Sequence, residues 1–436
     1  MNRTGPKVLI LMFASLITGA IPLQGQLNYM PYAFTNVAGA QMNGSDDGDL
    51  TTARFGSNYG GPTGVALDTK SNIYVADYGN HTIRKISASG IVTTFAGSAG
   101  QIGTNDGPGI AARFNYPVAI AVDHSDNLYV ADYRNHSIRK ITPDAMVTTF
   151  AGISGIDGKS DGIAGAALFQ NPSGLAIDRS NNVYVADTGN YTIRLIGQDR
   201  FVTTIAGIAG IPGSVDGPRE SAIFGGSIGI GLDGMENIFV ADTGNNTIRK
   251  ISPQGFVTTL AGSPGIVGSA DGSGADAQFW EPVGVAVDSQ GNVFVSDNWN
   301  STIRRVSPGG VVTTIGGVPL QNYFCDGAGP EARFFYPFGL ALDPDGNLYV
   351  ADAYNNRITK GIPVLQFDIA ALNFEKTNKK FTMRLIGPSH CAIALESSTN
   401  GSSWAAIQTN TISRGYLDIF ANPSQNQHEI FRAKLL

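Results

Sequence analysis

Short apolar stretches in which hydrophobic and polar residues alternate occur along most of this chain, and turn-forming residues separate them. Four such stretches follow one another at Gly64–Asp68, Ile73–Asp77, Thr82–Ile86 and Val92–Gly97. Alternation with a period of two is typical of β-strands that bury one face, and Gly, Asp and Asn between them indicate tight turns. The pattern predicts a unit of four antiparallel strands.

This unit recurs without a change of spacing. The segment that holds its second and third strands begins at six asparagines that lie 55 residues apart: Asn72, Asn127, Asn182, Asn237, Asn292 and Asn347. In the first strand, positions 64 and 66 and their copies are Gly or Ala, whereas positions 65 and 67 and their copies are Val, Ile or Leu. A strand with one small face fits the crowded innermost position of a blade, and four-stranded units repeated in this way predict a β-propeller.

The two ends of the repeat array complement each other. The sixth repeat stops after its third strand at about Lys360, without a fourth strand. Residues 34–39 align instead with the fourth strand Val92–Gly97. The N-terminal strand is therefore predicted to complete the sixth blade and to leave few exposed edges. We predict an all-β fold, with a six-bladed β-propeller over residues 33–361 that the N-terminal strand closes.

Different patterns flank the propeller. Residues 1–25 carry two early basic residues, Arg3 and Lys7, followed by the apolar run Val8–Ala20, which is too short to span a bilayer. This order predicts a signal peptide and a location that is secreted, periplasmic or at the cell surface. Residues 364–436 alternate in the manner of strands and predict a small β-sandwich-like module. No transmembrane span is predicted after the leader.

Charge and cysteine content narrow the classes of partner. The chain carries a net charge of −6, and binding to nucleic acid depends on clustered Lys and Arg, so no nucleic-acid partner is expected. The two cysteines, Cys325 and Cys391, are too few for a disulfide scaffold. One bridge between them and two free thiols are both compatible with the sequence.

The repeated motif resembles the NHL repeat. Its first part reads Pro-x-Gly-(Val/Leu)-Ala-(Val/Leu)-Asp, and its second part reads Asn-(aromatic)-Val-Ala-Asp-x-Gly-Asn-(His/Asn)-x-Ile-Arg-Lys-Ile. The resemblance covers residues 33–361 and departs slightly in the fourth repeat, where Ser227 stands in place of the Pro. It implies a six-bladed propeller used mostly for binding. It also implies that some relatives with this architecture are metal-dependent lyases or lactonases, so that catalysis is left undecided.

Polar residues that recur in the repeats are interpreted as scaffold, because a single ligand site does not need six equivalent copies. The aspartates from Asp77 onward, and the asparagines three residues after them, suit turns. The arginines from Arg84 onward are expected to pair with carboxylates, although the sixth repeat has Thr359 there. The Asp-Gly pairs from Asp106 onward suit loop turns, and the phenylalanines from Phe114 onward suit wedges between blades.

Function is expected where the copies differ. Because strands alternate in direction, the turn after the second strand and the long loop before the first strand emerge on one face. Large aromatic or charged side chains occupy that face in repeats 5, 6 and 2. The predicted ligand-binding residues are Tyr116, Arg134, His136, Trp280, Glu281, Trp299, Phe335, Tyr336 and Tyr354. Such residues suit stacking on sugar rings or docking of a peptide, and the competing interpretation is that the rings only pack the loops together.

The leading hypothesis is a monomeric binding or scaffold propeller whose long-loop face recognises a carbohydrate or a polypeptide. The alternative is an enzyme, a metal-assisted lyase or lactonase that acts at the channel mouth. Glu281 with Asn115, Asn171 and Asn298 is the nearest candidate for such a metal site. No catalytic residue and no cofactor are assigned, while a structural or channel-mouth Ca²⁺ is left open.

Overall fold

The computed structural model describes residues 32–364 with their side chains, and outside them it describes only strand segments within 8–11 and 366–435. Six five-stranded antiparallel sheets are formed within the first of these ranges. The first strands of neighbouring sheets contact one another and line a narrow central channel, so the sheets stand as blades around it. The predicted all-β fold with six blades is confirmed.

Four strands of each blade occupy the segments that the sequence predicts. The first strands are Pro62–Leu67, Pro117–Val122, Pro172–Ile177, Ile230–Leu232, Pro282–Val287 and Pro337–Leu342. The second strands are Ile73–Asp77, Leu128–Asp132, Val183–Asp187, Ile238–Asp242, Val293–Asp297 and Leu348–Asp352. The third strands are Thr82–Ile86, Ser137–Ile141, Thr192–Ile196, Thr247–Ile251, Thr302–Val306 and Arg357–Pro363. The fourth strands are Ile91–Gly97, Met146–Ala151, Phe201–Ala206, Phe256–Ala261, Val311–Gly316 and Tyr32–Gly39.

The sixth blade combines strands from both ends of the propeller. Tyr32–Gly39 lies next to the third strand Arg357–Pro363 of that blade. Its Asn36 backbone N–H also donates a hydrogen bond to the Asp326 carboxylate at 3.0 Å. The prediction that the N-terminal strand closes the ring is therefore confirmed.

Each blade also has a fifth, outer strand that the sequence pattern did not predict. The outer strands are Gly48–Asp49, Gly107–Pro108, Gly162–Ile163, Gly217–Pro218, Gly272–Ser273 and Gly327–Ala328. In the second blade, Gly107–Pro108 pairs with the fourth strand Met146–Ala151 before the chain turns inward to Pro117–Val122. The long loop of each repeat therefore crosses the outer edge of the blade that it enters, and it covers that edge.

Helical structure in the described part of the chain is limited to three-residue 3₁₀ turns. Those after the second strands are Tyr78–Asn80, Tyr133–Asn135, Thr188–Asn190, Thr243–Asn245 and Ala353–Asn355. Those after outer strands are Gly109–Ala111, Gly274–Asp276 and Gly329–Glu331. Among these described residues there is no helix with the length and apolar character that a membrane crossing requires.

A buried ion-pair network fills one side of each blade, and the second blade illustrates it. The Arg139 guanidinium binds Asp132, at the end of the second strand, at 2.8 Å, and Asp106, beside the outer strand, at 2.6 Å. Asn135 donates to Asp132 at 2.8 Å, and the Phe114 ring centroid lies 5.1 Å from the guanidinium carbon. Burial raises the pKa of Asp132 to about 6, against the effect of the arginine. Loss of Arg139 would leave the buried carboxylate of Asp132 without its cation.

Equivalent networks occur in the other blades. Their arginines are Arg84, Arg194, Arg249, Arg304 and Arg357. Four of them occupy the position of Arg139, but Arg357 lies two residues earlier in its strand, where other repeats have Ser or Thr. Alternate residues of a strand share one face. Arg357 therefore reaches Asp352 at 2.7 Å and Asp326 at 2.8 Å, and it replaces the arginine that is missing at Thr359.

The arginine–carboxylate pairs expected from the sequence are thus present in the first five blades, and the sixth blade has a pair at Arg357 that the sequence did not predict. The interpretation of the Asp-Gly pairs as loop turns was incomplete. Asp106 and its copies supply the second carboxylate of each network, and Asp106 also accepts a hydrogen bond from the Thr149 backbone N–H at 3.0 Å. The aspartate therefore connects the outer edge of the blade to its interior.

Phenylalanines and glycines set the spacing between blades. Phe114 is fully buried, and a Cβ placed on Gly97 of the preceding blade would lie 3.1 Å from its ring. Nearer the axis, a Cβ placed on Gly229 would overlap the carbonyl oxygen of Val283 in the next blade. Phe114 is thus a wedge between blades, as predicted. The small face of the first strand allows neighbouring inner strands to approach closely.

The remaining strand segments form two sheets outside the propeller. One sheet contains Val8–Leu11, Ile430–Leu435, Ala392–Ser398 and Ala405–Thr411. The other contains Gln366–Glu375, Lys380–Ile386 and Tyr416–Ala421. The rest of the predicted signal peptide and of the predicted β-sandwich-like module lies outside the described residues, and so does Cys391. The signal peptide and the module stay predictions, and so do the two alternatives for Cys325, a bridge to Cys391 or a free thiol.

Candidate functional site

Two sets of loops meet at one end of the channel. In the second blade the Arg134 backbone N–H, in the turn after the second strand, donates to the Asn115 carbonyl, in the loop before the first strand, at 3.0 Å. The same bond joins Trp299 to Trp280 at 3.2 Å and Tyr354 to Phe335 at 3.0 Å. The two variable loop sets therefore lie side by side, and we call the surface that they form the mouth face.

Five of the predicted residues form one continuous group of rings on the mouth face, which we call the aromatic cluster: Trp280, Trp299, Phe335, Tyr336 and Tyr354. Trp280 and Trp299 are stacked, with 5.4 Å between centroids, and Trp299 is 5.4 Å from Tyr336. Tyr336 and Tyr354 meet edge to face at 5.1 Å. Trp299 remains 40% exposed and Tyr354 58% exposed, so the rings pack together and still present faces to solvent.

A cleft of about 370 Å³ opens beside the aromatic cluster, and we call it the aromatic cleft. Blades 5 and 6 contribute Trp299, Tyr336 and Tyr354 to it. Blades 1 and 2 contribute three further rings, and the polar lining residues are small or neutral. The other lining residues include Tyr59, Tyr78, Tyr133, Phe338, Thr63, Ser173, Thr188 and Asn298. None of the side chains that line this cleft is charged.

A second cleft of about 490 Å³ lies on the mouth face over blades 2 to 5, and we call it the polar cleft. Its lining includes Trp280, Glu281, Asn171 and Asn246. Glycines of the third and fourth blades leave it open: Gly189, Gly225, Gly226 and Gly244. A Cβ on Gly244 would overlap the Gly225 carbonyl oxygen, so the close packing of these two loops requires glycine there. Glu281 is the single charged residue among those that line this cleft.

The predicted residues of the second blade lie beside the clefts. Tyr116 packs between two side chains of the first blade, with 4.7 Å to the Tyr78 centroid and 4.4 Å to the His81 centroid. The Arg134 guanidinium lies 5.4 Å from the Tyr133 ring centroid and is exposed at the rim. The structure therefore joins five of the nine predicted residues directly and places Glu281 in the neighbouring cleft.

His136 has a contact that the sequence did not suggest. Its Nδ1 accepts a hydrogen bond from the Asn171 backbone N–H of the next blade at 3.1 Å. His81 Nδ1 accepts the equivalent bond from Tyr116 at 3.1 Å. Burial lowers the pKa of both histidines, so the accepting nitrogen is favoured in its unprotonated form. His136 thus acts on the mouth face through the backbone of Asn171.

These bonds belong to a series that links neighbouring blades. In the fourth blade Asn246 Oδ1 accepts from the Glu281 backbone N–H at 2.9 Å, and in the fifth Ser301 Oγ accepts from Tyr336 at 3.3 Å. The donors have left-handed backbone conformations, with φ of 48° at Glu281 and 49° at Tyr336. A left-handed residue other than Gly needs local support. The inter-blade bond supplies it and thereby holds the Glu281 and Tyr336 side chains at the clefts.

Four aromatic residues that line the aromatic cleft were not predicted from the sequence: Tyr59, Tyr78, Tyr133 and Phe338. The residue after the second strand also varies, from Tyr78 and Tyr133 to Thr188, Thr243, Asn298 and Ala353. Thr243 and Asn298 use their side chains to donate to Pro282 and Pro337 of the next blade, at 2.7 and 3.0 Å. Tyr78 and Tyr133 line the aromatic cleft instead. Burial raises the pKa of Tyr78, which keeps its hydroxyl protonated.

The candidate metal ligands do not form one group. Asn171 and Glu281 line the polar cleft, whereas Asn298 lines the aromatic cleft and donates its amide to Pro337. Within the part of the chain that the structure describes, no three His, Cys, Asp or Glu side chains lie close enough to hold a metal ion. The donor set at the mouth is therefore neutral apart from Glu281, which is a weak combination for Ca²⁺ or Mg²⁺.

The fold and the mouth face define a six-bladed β-propeller with ligand-sized clefts at one end of its channel. Five segments match the family described as NHL repeat: residues 59–86, 114–141, 169–194, 279–305 and 334–360. The chain belongs to the NHL-repeat proteins, as its sequence resemblance implies. The fourth repeat is absent from these segments, and it is the repeat in which Ser227 replaces Pro and the first strand shortens to Ile230–Leu232.

Curated relatives share the repeats and are longer. NHL repeat-containing protein 2 of Homo sapiens is 30% identical over 335 residues, which cover 68% of this chain and 46% of the human protein. Protein SUPPRESSOR OF QUENCHING 1, chloroplastic, of Arabidopsis thaliana is 29% identical over 314 residues, which cover 68% of this chain and 30% of the plant protein. The chain thus spans less than half the length of either relative.

Solved structures show the same fold. An auxiliary nutrient binding protein from Bacteroides ovatus has a TM-score of 0.57 and 15% identity, over 77% of this chain and 78% of that chain. A protein of unknown function from Bacteroides thetaiotaomicron has a TM-score of 0.59 and 20% identity, over 76% of both chains. At these identities the likeness concerns the fold alone.

Proposed function

We propose that this chain is an exported binding propeller that recognises a carbohydrate or a polypeptide through its mouth face. The observation that carries the proposal is the aromatic cluster with its exposed Trp299 and Tyr354 beside a cleft of about 370 Å³. Cavities of about 300–1,000 Å³ with aromatic walls and a few polar groups are typical of ligand sites. The rings of this cluster are held by one another, so little side-chain entropy is lost when a ligand covers them.

Three further features support a binding role. The ion-pair networks and the strand that closes the ring give a rigid scaffold, on which loops of different chemistry can be positioned. The Bacteroides ovatus neighbour with the same fold is an auxiliary nutrient binding protein. The basic residues and apolar run at the start of the chain favour export, which would bring the mouth face into contact with ligands outside the cell.

The proposal is tested by screening the purified protein against glycan and peptide arrays, and by repeating the screen with Trp299→Ala. We expect loss of about tenfold or more in affinity for any ligand that the wild-type protein captures. Phe256→Ala is the matched control, because Phe256 is an aromatic residue that is 52% exposed on a fourth strand and does not line either cleft. Equal binding by wild type and Trp299→Ala would remove the mouth face as the ligand site.

A further inference from the structure

We infer that the ligand of the mouth face is an uncharged oligosaccharide that occupies the aromatic cleft and the polar cleft together. This inference rests on the proposed binding function and adds the chemical class and the placement of the ligand. It depends on three features of the two clefts: their charge, the distribution of rings and amides between them, and the residues that they share.

The aromatic cleft suits an uncharged, flat-faced ligand. Its rings come from four blades, and its lining has no charged side chain that could pair with an ionic group. A pyranose ring has apolar C–H faces and polar hydroxyl edges, so it can place a face on Trp299 or Tyr354 and turn its edges to other groups. The phenol of Tyr78 is held in its protonated form by burial, and the carboxamide oxygen of Asn298 is a remaining acceptor.

The polar cleft provides a different set of contacts. The Glu281 carboxylate is exposed, and Asn171 and Asn246 place amide groups along the same cleft. Carboxylates and amides bind neighbouring hydroxyls of a sugar through more than one hydrogen bond. No cation lines this cleft, so an acidic sugar would meet the Glu281 charge without compensation. Arg134 at the rim is a lining residue of neither cleft.

The two clefts are continuous in their lining. Tyr133 and Thr188 line both of them. A ligand with one unit on the rings of the aromatic cleft and another beside Glu281 therefore passes over these two residues. Linked units that bind in adjacent sites gain affinity because the second contact becomes intramolecular.

A peptide is the less favoured occupant. The mouth face is formed by strand ends and turns, so it offers no row of backbone groups to which an extended peptide could add as a strand. Acidic side chains find no partner in either cleft, and basic side chains find only Glu281. Neutral sugar units, which carry many hydroxyls, match more of the lining residues than the charged side chains of a peptide do.

Calorimetric titration with neutral hexose oligomers, from the monosaccharide to the hexasaccharide, tests the inference, with the corresponding uronic acid oligomers as a second series. We expect affinity to rise with length until both clefts are filled, and the uronic acid series to bind about tenfold more weakly. Trp299→Ala should weaken every oligomer, with Tyr354→Ala as a second variant at an exposed ring. Glu281→Gln should raise affinity for the acidic series relative to the neutral series.

The outcomes separate this inference from the function on which it rests. Binding of peptides that depends on Trp299, with no binding of neutral oligomers, would overturn the assignment of an oligosaccharide as the ligand. It would leave the proposed binding function in place. Equal affinity for neutral and acidic oligomers, unchanged in Glu281→Gln, would overturn the role of the polar cleft. Absence of binding to both oligomer series and to the arrays would overturn both the inference and the proposed function.

Discussion

Asp132 and Arg134 lie two residues apart in one turn, but they belong to two different regions of the molecule. Asp132 is fully buried in the ion-pair network of its blade, whereas Arg134 is exposed at the rim of the mouth face. The backbone of this turn is nearly constant between blades, since the residue that ends it has φ of 54° at His136 and 52° at Asn356. A fixed backbone lets the inward side chain stay the same while its outward neighbours change. Stability and specificity are therefore encoded in adjacent positions.

The strongest test of this comparison removes an inward residue. We expect Arg139→Met to lower the free energy of unfolding by about 3–5 kcal/mol, because Asp132 and Asp106 lose the cation that both of them bind. Arg134→Met is the matched control, since it removes the same residue type from the exposed side of the turn, and it should change stability by about 0.5 kcal/mol or less. Chemical denaturation measures both. Similar losses of stability in the two variants would contradict the distinction between a buried, stabilising side and an exposed side of this region.

A smaller effect is expected at the ring of inner strands. Gly229→Ala places a methyl group against the Val283 carbonyl of the next blade, and we expect a loss of about 1–3 kcal/mol from this overpacking. Gly165→Ala serves as the control, because a Cβ at Gly165 meets nothing within 4 Å. Thermal unfolding of the two variants separates crowding from the general effect of replacing glycine. A Gly229 variant as stable as the control would show that the inner strands can move apart.

The smallest effect is expected for His81→Asn, which exchanges one acceptor for another in the bond between blades. Burial lowers the pKa of His81 below its usual value of 6.5, so the folded state disfavours protonation. The stability that the neutral ring contributes is present above about pH 6.5 and is lost as the pH falls through the lower folded-state pKa. Asn246 already accepts this bond in the fourth blade without titrating.

We therefore expect His81→Asn to lie within about 1 kcal/mol of wild type at about pH 8 and to gain stability relative to wild type toward about pH 5. Thermal unfolding at a series of pH values gives this difference directly. The comparison with wild type is needed because burial raises the pKa of Asp132 and Asp187 to about 6, and their contribution has the opposite pH dependence. A difference that does not change with pH would show that His81 is not titrating.

Much of the fold follows from the sequence because its signals are periodic. Strand alternation gave the blades, and the alignment of residues 34–39 with a fourth strand predicted the closure. The outer strands were missed because two residues, such as Gly107–Pro108, are too few for a period to be recognised. Arg357 was missed for a different reason. Comparing only equivalent positions does not show that a residue two places away shares the same strand face.

The candidate site was predictable in its location and less so in its composition. The aromatic cluster arises from residues that differ between repeats, and that difference is visible in the sequence. The polar cleft exists because blades 3 and 4 lack large side chains there, and the absence of a side chain at glycines such as Gly226 is not itself a sequence signal for a site. The role of His136 depends on the left-handed backbone of Asn171 in the next blade, which no pattern within one repeat indicates.

The shared sixth blade also has a consequence for how the chain acquires its structure. Asn36 and Asp326, which bond across that blade, are separated by 290 residues. Synthesis at about 5–20 residues per second puts roughly 15–60 s between their appearances. Blades 1 to 5 can each form from contiguous chain, but Tyr32–Gly39 must wait for Arg357–Pro363, the strand beside which it lies in the sixth blade. Formation of the ring is thus a late event of high contact order, and until then Tyr32–Gly39 and the third strand Arg357–Pro363 have unpaired edges to which chaperones or other nascent chains have access.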